Sequence, residues 1–382
     1  MQNLKSFFKS FILITPAAFL LIIFYVLMPG CNCYSQTAGY KYQVPGKFND
    51  GWEVSSLNAE GINTEIIEEI TRLILDVDKY DQVLSMAIVK NGKLVHEAYS
   101  PYCQRNTLHV LASITKTVTS TLIGIAIDKG FIESIDSKLY ELLPHYSEYF
   151  SESGKKKIAL RNIVTMTSGL EWFERVSYNN PKNSEFQMVE SEDWIKYVVS
   201  RPMENEPGTR FNYNTGSIHL LGEVIKTVSG LHAHQFAEKH LLHPMGIYGY
   251  QWNKDPKGYP CTGGTDGGIG LRTRDIAKFG WLFLKDGKWN GKQIISQNWI
   301  EEAPKNHSAK MTGRGNYGFN WFSGVRMANG KRFDYKASFG YGGQTLFIVP
   351  EYDLIIVFTC DLAEGNAGVN TLVNRTFEAC IR

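Results

Sequence analysis

The sequence predicts an α+β protein in which an antiparallel sheet, built from both termini, is flanked by helices and holds a mostly helical inserted domain. Strand patterns occur before residue 100 and after residue 316, and the stretch from about 133 to 259 is helix-like. Apolar residues make up 43% and charged residues 20% of the 382 positions, a globular composition with ample material for a core. Strands at both ends with helices between them indicate a sheet domain with a helical insertion.

Each element is visible as a local pattern. Residues Ile62–Val77 have helical periodicity. Two β-rich runs follow, Ser85–Lys90 and Lys93–Tyr99. The turn between them is Asn91-Gly92, a pair that favours positive φ, and it predicts a hairpin. Leu111–Lys129 is a largely apolar helix. Later patterns predict a helix at Asp275–Lys285 and a strand at Tyr317–Phe322. They also predict a second hairpin, formed by Thr345–Val349 and Leu354–Cys360, and a closing helix at Thr371–Ala379.

These patterns divide the chain into four parts. Residues 1–30 are predicted to be a signal peptide or membrane anchor, and residues 31–52 a tether. The sheet domain is predicted to comprise residues 53–135 and 262–382, and the helical domain residues 136–261.

The N-terminus has the pattern of an export signal. Lys5 and Lys9 precede the uncharged run Phe11–Met28, whose eighteen residues form a segment typical of such signals. As a helix this run would span about 27 Å, slightly less than a hydrocarbon core of about 30 Å. The following Met28-Pro29-Gly30-Cys31 resembles a bacterial lipobox. We therefore expect an exported protein on the periplasmic side of the cell envelope, tethered as a lipoprotein at Cys31 or by an uncleaved anchor.

Charge and cysteine content exclude several classes of protein. Forty Lys and Arg residues against 38 Asp and Glu residues give a net charge of +2, so no basic field indicates nucleic-acid binding. Six cysteines are too few for a disulfide scaffold. Cys360 and Cys380 are the first pair to test for a disulfide, with free buried thiols as the alternative. Four histidines, His232, His234, His240 and His243, cluster in sequence, but no carboxylate or Cys completes a metal ligand set, and no pattern indicates a cofactor or an obligatory protein partner.

The first candidate catalytic motif is Ser113-Ile114-Thr115-Lys116, an S-x-x-K pattern at the start of the apolar helix. Residues three apart share a helical face, with Cβ atoms about 5–6 Å apart, so the Ser hydroxyl can meet the Lys amine. An amine buried beside a cleft loses its proton more readily and can act as a base for a serine nucleophile. The alternative is a helix N-cap followed by a surface lysine.

Two other S-x-x-K matches, Ser6/Lys9 and Ser153/Lys156, show that the pattern also arises by chance. The helix itself favours Ser113. The run Val118–Ile127 carries no charge, which predicts a buried helix in which Lys116 needs a partner.

The second candidate is Tyr213, which follows the turn-rich segment 207–212 and precedes a predicted helix. A Tyr at this place can direct its hydroxyl into a cleft, and a charge such as Lys116 can lower its pKa, which suits a general base. The alternative is a core Tyr whose hydroxyl is satisfied. Tyr178 begins a rival Y-x-N pattern without the same lead-in, and we take it as a substrate-side residue.

The third candidate is the glycine-rich segment Ser338-Phe339-Gly340-Tyr341-Gly342-Gly343-Gln344, which leads into the penultimate strand. Glycines allow a ligand or another backbone to approach closely. An edge strand with free N–H groups at this place would supply an oxyanion donor opposite Ser113. The alternative is a glycine-rich bend in a strand.

These three elements, in this order, resemble the serine hydrolase superfamily of class C β-lactamases, penicillin-binding DD-peptidases and family VIII esterases. Two further segments support the resemblance. Met166-Thr167-Ser168-Gly169-Leu170 is similar to the M-T-S-G-L turn of that family, and residues 267–280 are similar to its G-G-L-x-S-x-x-D-L-A-x-F-G segment. The similarity extends from about Asp50 to the C-terminus. The resemblance is strongest to the branch that includes 6-aminohexanoate-dimer hydrolase, whose members have Y-N-T-G and G-G-Q motifs like those of this sequence.

The resemblance implies a role for each candidate. Ser113 would be the nucleophile, Lys116 would relay its proton, and Tyr213 would act first as general base and then as general acid. The backbone N–H groups of Ser113 and Tyr341 would form the oxyanion hole. It implies no cofactor and no metal. The remaining candidates for the substrate cleft are Trp172, Tyr178, Thr215, Ser338, Gly340, Gly343 and Gln344.

Two departures from the family bear on the substrate. Thr215 stands where the Y-x-N motif has Asn, and Ser338 stands where the K-T-G box has a cation. In the family that cation receives the carboxylate of a β-lactam or a peptidoglycan stem, and its loss removes a contact worth about 1.5–3 kcal/mol. Lys336 lies close by in sequence and is a candidate substitute.

The sequence therefore predicts an exported serine hydrolase that acts through an acyl-enzyme on small ester or amide substrates. One alternative is a penicillin-binding protein with β-lactamase or DD-peptidase activity. Another is a non-catalytic binding or sensor module of the cell envelope.

Overall fold

The computed structural model describes residues 39–76, 82–307, 315–361 and 367–382. The predicted export signal, Cys31 and the start of the predicted tether lie outside the described residues. Residues Lys41–Arg382 form one compact unit. Within the described ranges, no helix is both long enough and apolar enough to cross a membrane.

The described ranges contain thirteen strands of two to ten residues. In chain order they are β1 (Glu53–Val54), β2 (Val83–Lys90), β3 (Lys93–Tyr99), β4 (His109–Val110), β5 (Gln251–Trp252), β6 (Ile269–Leu271), β7 (Lys288–Trp289), β8 (Lys292–Gln293), β9 (Asn316–Tyr317), β10 (Phe322–Ala328), β11 (Lys331–Gly340), β12 (Gln344–Val349) and β13 (Leu354–Cys360).

Eight of these strands form one sheet in the order β1-β3-β2-β13-β12-β11-β10-β9. Neighbours are antiparallel, except that β1 and β3 pair in parallel. The N-terminal hairpin joins the C-terminal strands through β2 and β13, where Ile88 is opposite Ile356. Every residue of β13 is buried, so both faces of the sheet are covered there. The predicted α+β class, with an antiparallel sheet built from both ends of the chain, is confirmed.

Eight of the α-helices in the described ranges, and the short strand β5, lie between β4 and β6 in the chain. In chain order the α-helices of the described ranges are α1 (Thr64–Leu75), α2 (Ile114–Asp128), α3 (Leu139–Leu142), α4 (Ser153–Lys156), α5 (Leu160–Val164), α6 (Ser184–Val189), α7 (Trp194–Ser200), α8 (Thr215–Ser229), α9 (Ala233–Ala237), α10 (Thr273–Leu284), α11 (Gln297–Glu302) and α12 (Ala367–Cys380). A second, small sheet has the strand order β4-β6-β5, and its strand β4 shortly precedes α2 in the chain.

Both predicted hairpins are present. Asn91 and Gly92 adopt φ values of 50° and 80° between β2 and β3. This is the left-handed turn conformation that such a pair favours. The second hairpin joins β12 and β13 through residues 350–353.

The single strand predicted for Tyr317–Phe322 is wrong. The chain reverses between β9 and β10, so that Tyr317 pairs with Phe322 across a tight turn. Asn320 adopts a φ of 60° in this turn, and aromatic content alone did not indicate it. The long hairpin of β10 and β11 was likewise not predicted, because polar side chains interrupt the apolar pattern of both strands.

Helix α2 is buried along almost its whole length, as the uncharged run predicted. Its hydroxyl groups donate to backbone carbonyls of the surrounding chain. Thr119 donates to the Thr262 carbonyl at 2.8 Å, and Ser120 donates to the Phe319 carbonyl at 2.8 Å. These bonds compensate the burial of polar groups. They also anchor the helix that begins at the candidate nucleophile.

The cysteines in the described ranges are free thiols, so Cys360 and Cys380 do not form a disulfide. Burial raises the pKa of each of these two thiols to about 12. A thiol with such a pKa is almost entirely protonated at neutral pH and therefore unreactive.

Arg274 in α10 ties residues near the N-terminal end of the described chain to the sheet. Its side chain is 5% exposed and contacts Asp50 at 2.7 Å and Glu97 at 2.6 Å. It also donates to the Gly46 carbonyl at 2.8 Å. The guanidinium thus neutralises two carboxylates from different parts of the chain.

We expect Arg274→Ala to lower the free energy of unfolding by about 3 kcal/mol, because it leaves two partly buried carboxylates without a counter-charge. Urea denaturation measures this loss. The matched control is Arg161→Ala, because Arg161 also pairs with a carboxylate, Asp136, but at an exposed site. That control should lose at most about 1 kcal/mol. Equal losses in the two variants would contradict the assignment.

Candidate active site

Ser113 lies immediately before the first residue of α2. Ala112, which precedes it, adopts a φ of 46°, a left-handed conformation that is unfavourable for a residue with a side chain. The Ser113 side chain makes no capping bond to the helix. Its hydroxyl instead accepts a hydrogen bond from Lys116 Nζ at 2.9 Å. The alternative of a simple helix N-cap followed by a surface lysine is therefore wrong.

Lys116 is 2% exposed. Besides its bond to Ser113, the amine donates to the Gly263 carbonyl at 2.6 Å. Both partners are neutral oxygens, so they hold the amine in place without a counter-charge. The side chain thus has a fixed nitrogen in direct contact with the candidate nucleophile, which is the arrangement that proton transfer from a serine requires.

The Tyr213 ring lies over this amine, with 5.1 Å between Lys116 Nζ and the ring centroid. Met166 holds the backbone on both sides of Tyr213. The Met166 carbonyl accepts the Asn212 N–H at 2.8 Å, and its sulfur accepts the Asn214 N–H at 3.3 Å. Met166 itself has a φ of 58° in the M-T-S-G-L turn. This turn therefore positions Tyr213. The sequence analysis assigned the turn no function.

The next residues of the Y-N-T-G segment begin α8. Asn214 caps the helix by accepting the Ser217 N–H at 2.8 Å. Gly216 is required by close packing, because a Cβ there would lie 2.4 Å from the Trp172 indole. Trp172 is accordingly buried. The structure places the Trp172 side chain, which the sequence predicts to line the substrate cleft, in the core.

Thr215 is buried and its side chain is bonded to a carboxylate, so it does not line the substrate cleft as the sequence predicts. Its hydroxyl donates to Glu174 Oε1 at 2.9 Å, and its N–H donates to Glu174 Oε2 at 2.8 Å. Sequence reasoning missed Glu174, which lies in an irregular loop four residues after the M-T-S-G-L turn. Burial, followed by the charge of Glu185, raises the pKa of the Glu174 carboxyl, while Lys116 acts in the opposite direction.

Tyr178 is 46% exposed and packs edge-on against Phe186. Burial of part of the ring and the nearby Glu185 raise the pKa of its hydroxyl to about 12, so it is neutral at physiological pH. The Glu185 carboxylate accepts a hydrogen bond from Thr265 at 2.7 Å. The substrate-side position of Tyr178 stays a prediction.

The glycine-rich segment places the end of β11 against the chain that leads into Ser113. A Cβ on Gly340 would lie 2.2 Å from the Leu111 carbonyl oxygen, so only glycine permits this approach. Tyr341 follows directly, and its side chain is 77% exposed. Gly343 ends the short turn Tyr341–Gly343 with a φ of 91°. Tyr341 is therefore the residue directly after Gly340, which packs against Leu111 two residues before Ser113.

Two cleft candidates from this segment instead have partners inside the protein. Ser338 is buried, and its hydroxyl lies 2.6 Å from that of Thr117. Gln344 is buried as well, and its amide accepts the Cys360 N–H at 3.2 Å and donates to the Cys360 carbonyl. These bonds fasten β12 to the end of β13. The expectation that the side chains of Ser338 and Gln344 face a substrate is therefore wrong.

Lys336 does not replace the missing cation of the K-T-G box. Its amine donates to the Phe283 carbonyl at 3.0 Å, on helix α10. Burial lowers the pKa of this amine. The position at the head of the box therefore presents a neutral hydroxyl that is already bonded, and the nearby lysine is committed elsewhere.

In the described part of the chain, no group of three or more His, Cys, Asp or Glu residues could hold a metal ion. The chemistry that the site offers is that of a hydroxyl, an amine and a phenol. Ser113 can attack a carbonyl carbon, and Lys116 with Tyr213 can take up and return its proton.

A family model and several known proteins match this chain. The beta-lactamase family model matches residues 77–379. The 6-aminohexanoate-dimer hydrolase of Paenarthrobacter ureafaciens is 21% identical over 300 residues, which cover 71% of this chain and 70% of that protein.

Two solved structures share the fold. A class C beta-lactamase is 18% identical with a TM-score of 0.60, and the alignment covers 83% of this chain and 96% of that chain. EstCE1, a hydrolase with promiscuous acyltransferase activity, is 14% identical with a TM-score of 0.66, and the alignment covers 84% of this chain and all 100% of that chain. Since the family model spans most of the sequence and the S-x-x-K pair is assembled, the chain is a serine hydrolase that belongs to the beta-lactamase family.

Proposed function

We propose that the protein hydrolyses small ester or amide substrates through an acyl-enzyme on Ser113. The observation that carries this proposal is the position of Lys116 Nζ, 2.9 Å from Ser113 Oγ and 5.1 Å from the centre of the Tyr213 ring. A nucleophile and a nitrogen that can accept its proton are therefore in contact, and the ring of a second acid–base residue lies over that nitrogen.

The proposed reaction has two halves. Ser113 Oγ forms a bond to the carbonyl carbon, and its proton passes to the Lys116–Tyr213 pair. The pair then gives a proton to the departing alcohol or amine as the bond to that group breaks. In the second half a water molecule attacks the acyl-enzyme in the same way, which releases the acid and restores the serine hydroxyl. Backbone N–H groups of Ser113 and Tyr341 are the proposed oxyanion donors, each worth about 10²–10³ in rate.

The charge of the site supports a substrate without a recognised carboxylate. Ser338 presents a neutral hydroxyl bonded to Thr117, and Lys336 is bonded to Phe283. Neither supplies the charge-assisted contact that an anionic β-lactam would gain from a cation at this place. Neutral esters and amides do not need that contact, so they are the favoured class.

The proposed location follows from the first 31 residues. Two lysines before a long apolar run and a lipobox-like Cys31 support export and attachment to the membrane by a lipid or by an uncleaved anchor. The hydrolase would then act on the periplasmic side of the cell envelope.

The proposal is tested by exposing the purified protein to p-nitrophenyl acetate, a short-chain amide and a cephalosporin in parallel, followed by rapid acid quench and intact-mass measurement. We expect an acyl adduct from the ester, mapped to the peptide containing Ser113. Turnover with no adduct at Ser113 would contradict the mechanism. Absence of both would leave the non-catalytic alternative.

The same panel tests the penicillin-binding alternative. We expect acylation by the ester to be faster than labelling by a fluorescent penicillin, because the penicillin carboxylate finds no cation at position 338 to receive it. Faster labelling by the penicillin would favour a penicillin-binding protein.

A further inference from the structure

Glu174 gathers the hydrogen-bond donors beside the candidate catalytic residues. The Thr215 hydroxyl and the Thr215 N–H each donate to one of its carboxylate oxygens, at 2.9 and 2.8 Å. The Trp172 indole N–H also donates to this carboxylate. One carboxylate therefore clamps the first residue of α8 to the loop that follows the M-T-S-G-L turn.

Thr215 connects this clamp to both members of the proton-transfer pair. It follows Tyr213 by two residues and lies against Gly263, where a Cβ would stand 2.6 Å from the Thr215 carbonyl oxygen. The Gly263 carbonyl is the second acceptor of the Lys116 amine. A displacement of Thr215 would therefore move the supports of Lys116 and of Tyr213 together.

The ionisable groups around Glu174 come from three other elements. Glu185 in α6 and Lys116 in α2 both act on the charge of the Glu174 carboxyl. Tyr317 in β9 is fully buried, and burial raises its pKa well above the usual value, so it remains neutral. Lys116 is thus the cation that opposes the two carboxylates.

We propose that Glu174 is a positioning residue for the Lys116–Tyr213 pair, acting through its clamp on Thr215 and through its negative charge. The inference rests on the proposed function and adds to it a residue from outside the three motifs.

The sign of the effect on pH dependence follows from electrostatics. A carboxylate near Lys116 and Tyr213 disfavours loss of a proton from either group, because loss makes each of them more negative. Burial and Glu185 raise the pKa of Glu174 itself, while Lys116 and the donors on Thr215 and Trp172 favour its ionised form. Removal of this charge should therefore let the pair deprotonate at lower pH, whichever of the two is the base. It should also remove attraction for the ammonium that forms when Lys116 takes the serine proton.

The experiment measures the rate at which a fluorophosphonate labels Ser113 between pH 5 and pH 9, by intact mass. In this step the Oγ–P bond forms, the P–F bond breaks, fluoride leaves, and the hydroxyl proton passes to the pair. The labelling rate should rise with pH to a plateau as the pair loses its proton. For Glu174→Gln we expect this rise, the acidic limb of the profile, to occur about one pH unit lower, and the plateau rate to be about tenfold lower. Glu174→Asp keeps the charge and should retain the wild-type limb at a reduced plateau.

Glu192→Gln is the matched control, since Glu192 is an exposed carboxylate in the same part of the chain. It should leave both limb and plateau unchanged. An unchanged profile for Glu174→Gln, or a uniform loss without a displaced limb, would overturn the inference. If Glu174→Gln fails to fold, a displaced limb in Glu174→Asp overturns it instead. Failure of the wild type to be labelled at Ser113 would refute the proposed function and not this inference alone.

Discussion

Replacement of Ser113 by Ala is expected to abolish turnover of p-nitrophenyl acetate, with a loss of at least about 10⁴-fold. The reason is that no other hydroxyl at the site is bonded to the Lys116 amine among the described contacts. The variant should also show no acyl adduct by intact mass. Its fold should be unaffected, because the Ser113 side chain makes no capping bond to α2.

Ser153→Ala provides the control for this prediction. Ser153 also heads an S-x-x-K pattern on a short helix, α4, but it is exposed. Both substitutions remove one hydroxyl from the start of a helix, three residues before a lysine. Full activity is expected for Ser153→Ala. If Ser113→Ala retained more than about 1% of the wild-type rate, another nucleophile would be responsible.

Lys116→Met is expected to lower the rate of Ser113 acylation by about 10²–10⁴-fold, since it removes the nitrogen proposed to receive the serine proton. The stability should respond differently. Lys116 is 2% exposed and bonded only to neutral oxygens in the described structure. Exchange of a buried amine for an apolar side chain of similar length should leave the free energy of unfolding within about 1 kcal/mol of wild type.

Lys156→Met is the matched control, because Lys156 occupies the same place in the S-x-x-K pattern of α4 and is exposed. It should change neither acylation nor stability. The measurements are single-turnover acylation kinetics and urea denaturation of both variants. A Lys116→Met variant that is unfolded and inactive would indicate a structural role, whereas a folded variant with normal acylation would remove Lys116 from the mechanism.

Local patterns predicted most of the fold. The Asn91-Gly92 turn and the apolar runs of β12 and β13 indicated two hairpins, because each pattern depends on residues close in sequence. The uncharged length of α2 predicted its burial for the same reason. The prediction failed at Tyr317–Phe322, where a tight turn divides an aromatic-rich stretch into two paired strands.

The candidate site could be predicted only in part. Its three motifs gave the residue types and their order, and the family resemblance gave them roles. Neither indicated that Glu174 binds Thr215, or that the Gly263 carbonyl holds Lys116. Those partners lie in loops without periodicity, so no local pattern identifies their path.

The sequence by itself determined which groups are available: a serine three residues before a lysine on an apolar helix, a tyrosine before a second helix, and glycines at the end of a strand. Only the tertiary structure decided which of them meet. It brought Lys116 and Tyr213 together across 97 residues of chain, and it directed Lys336 and Gln344 into bonds elsewhere. The physical reason is that secondary structure follows from neighbouring residues, whereas a catalytic contact depends on how separate elements pack.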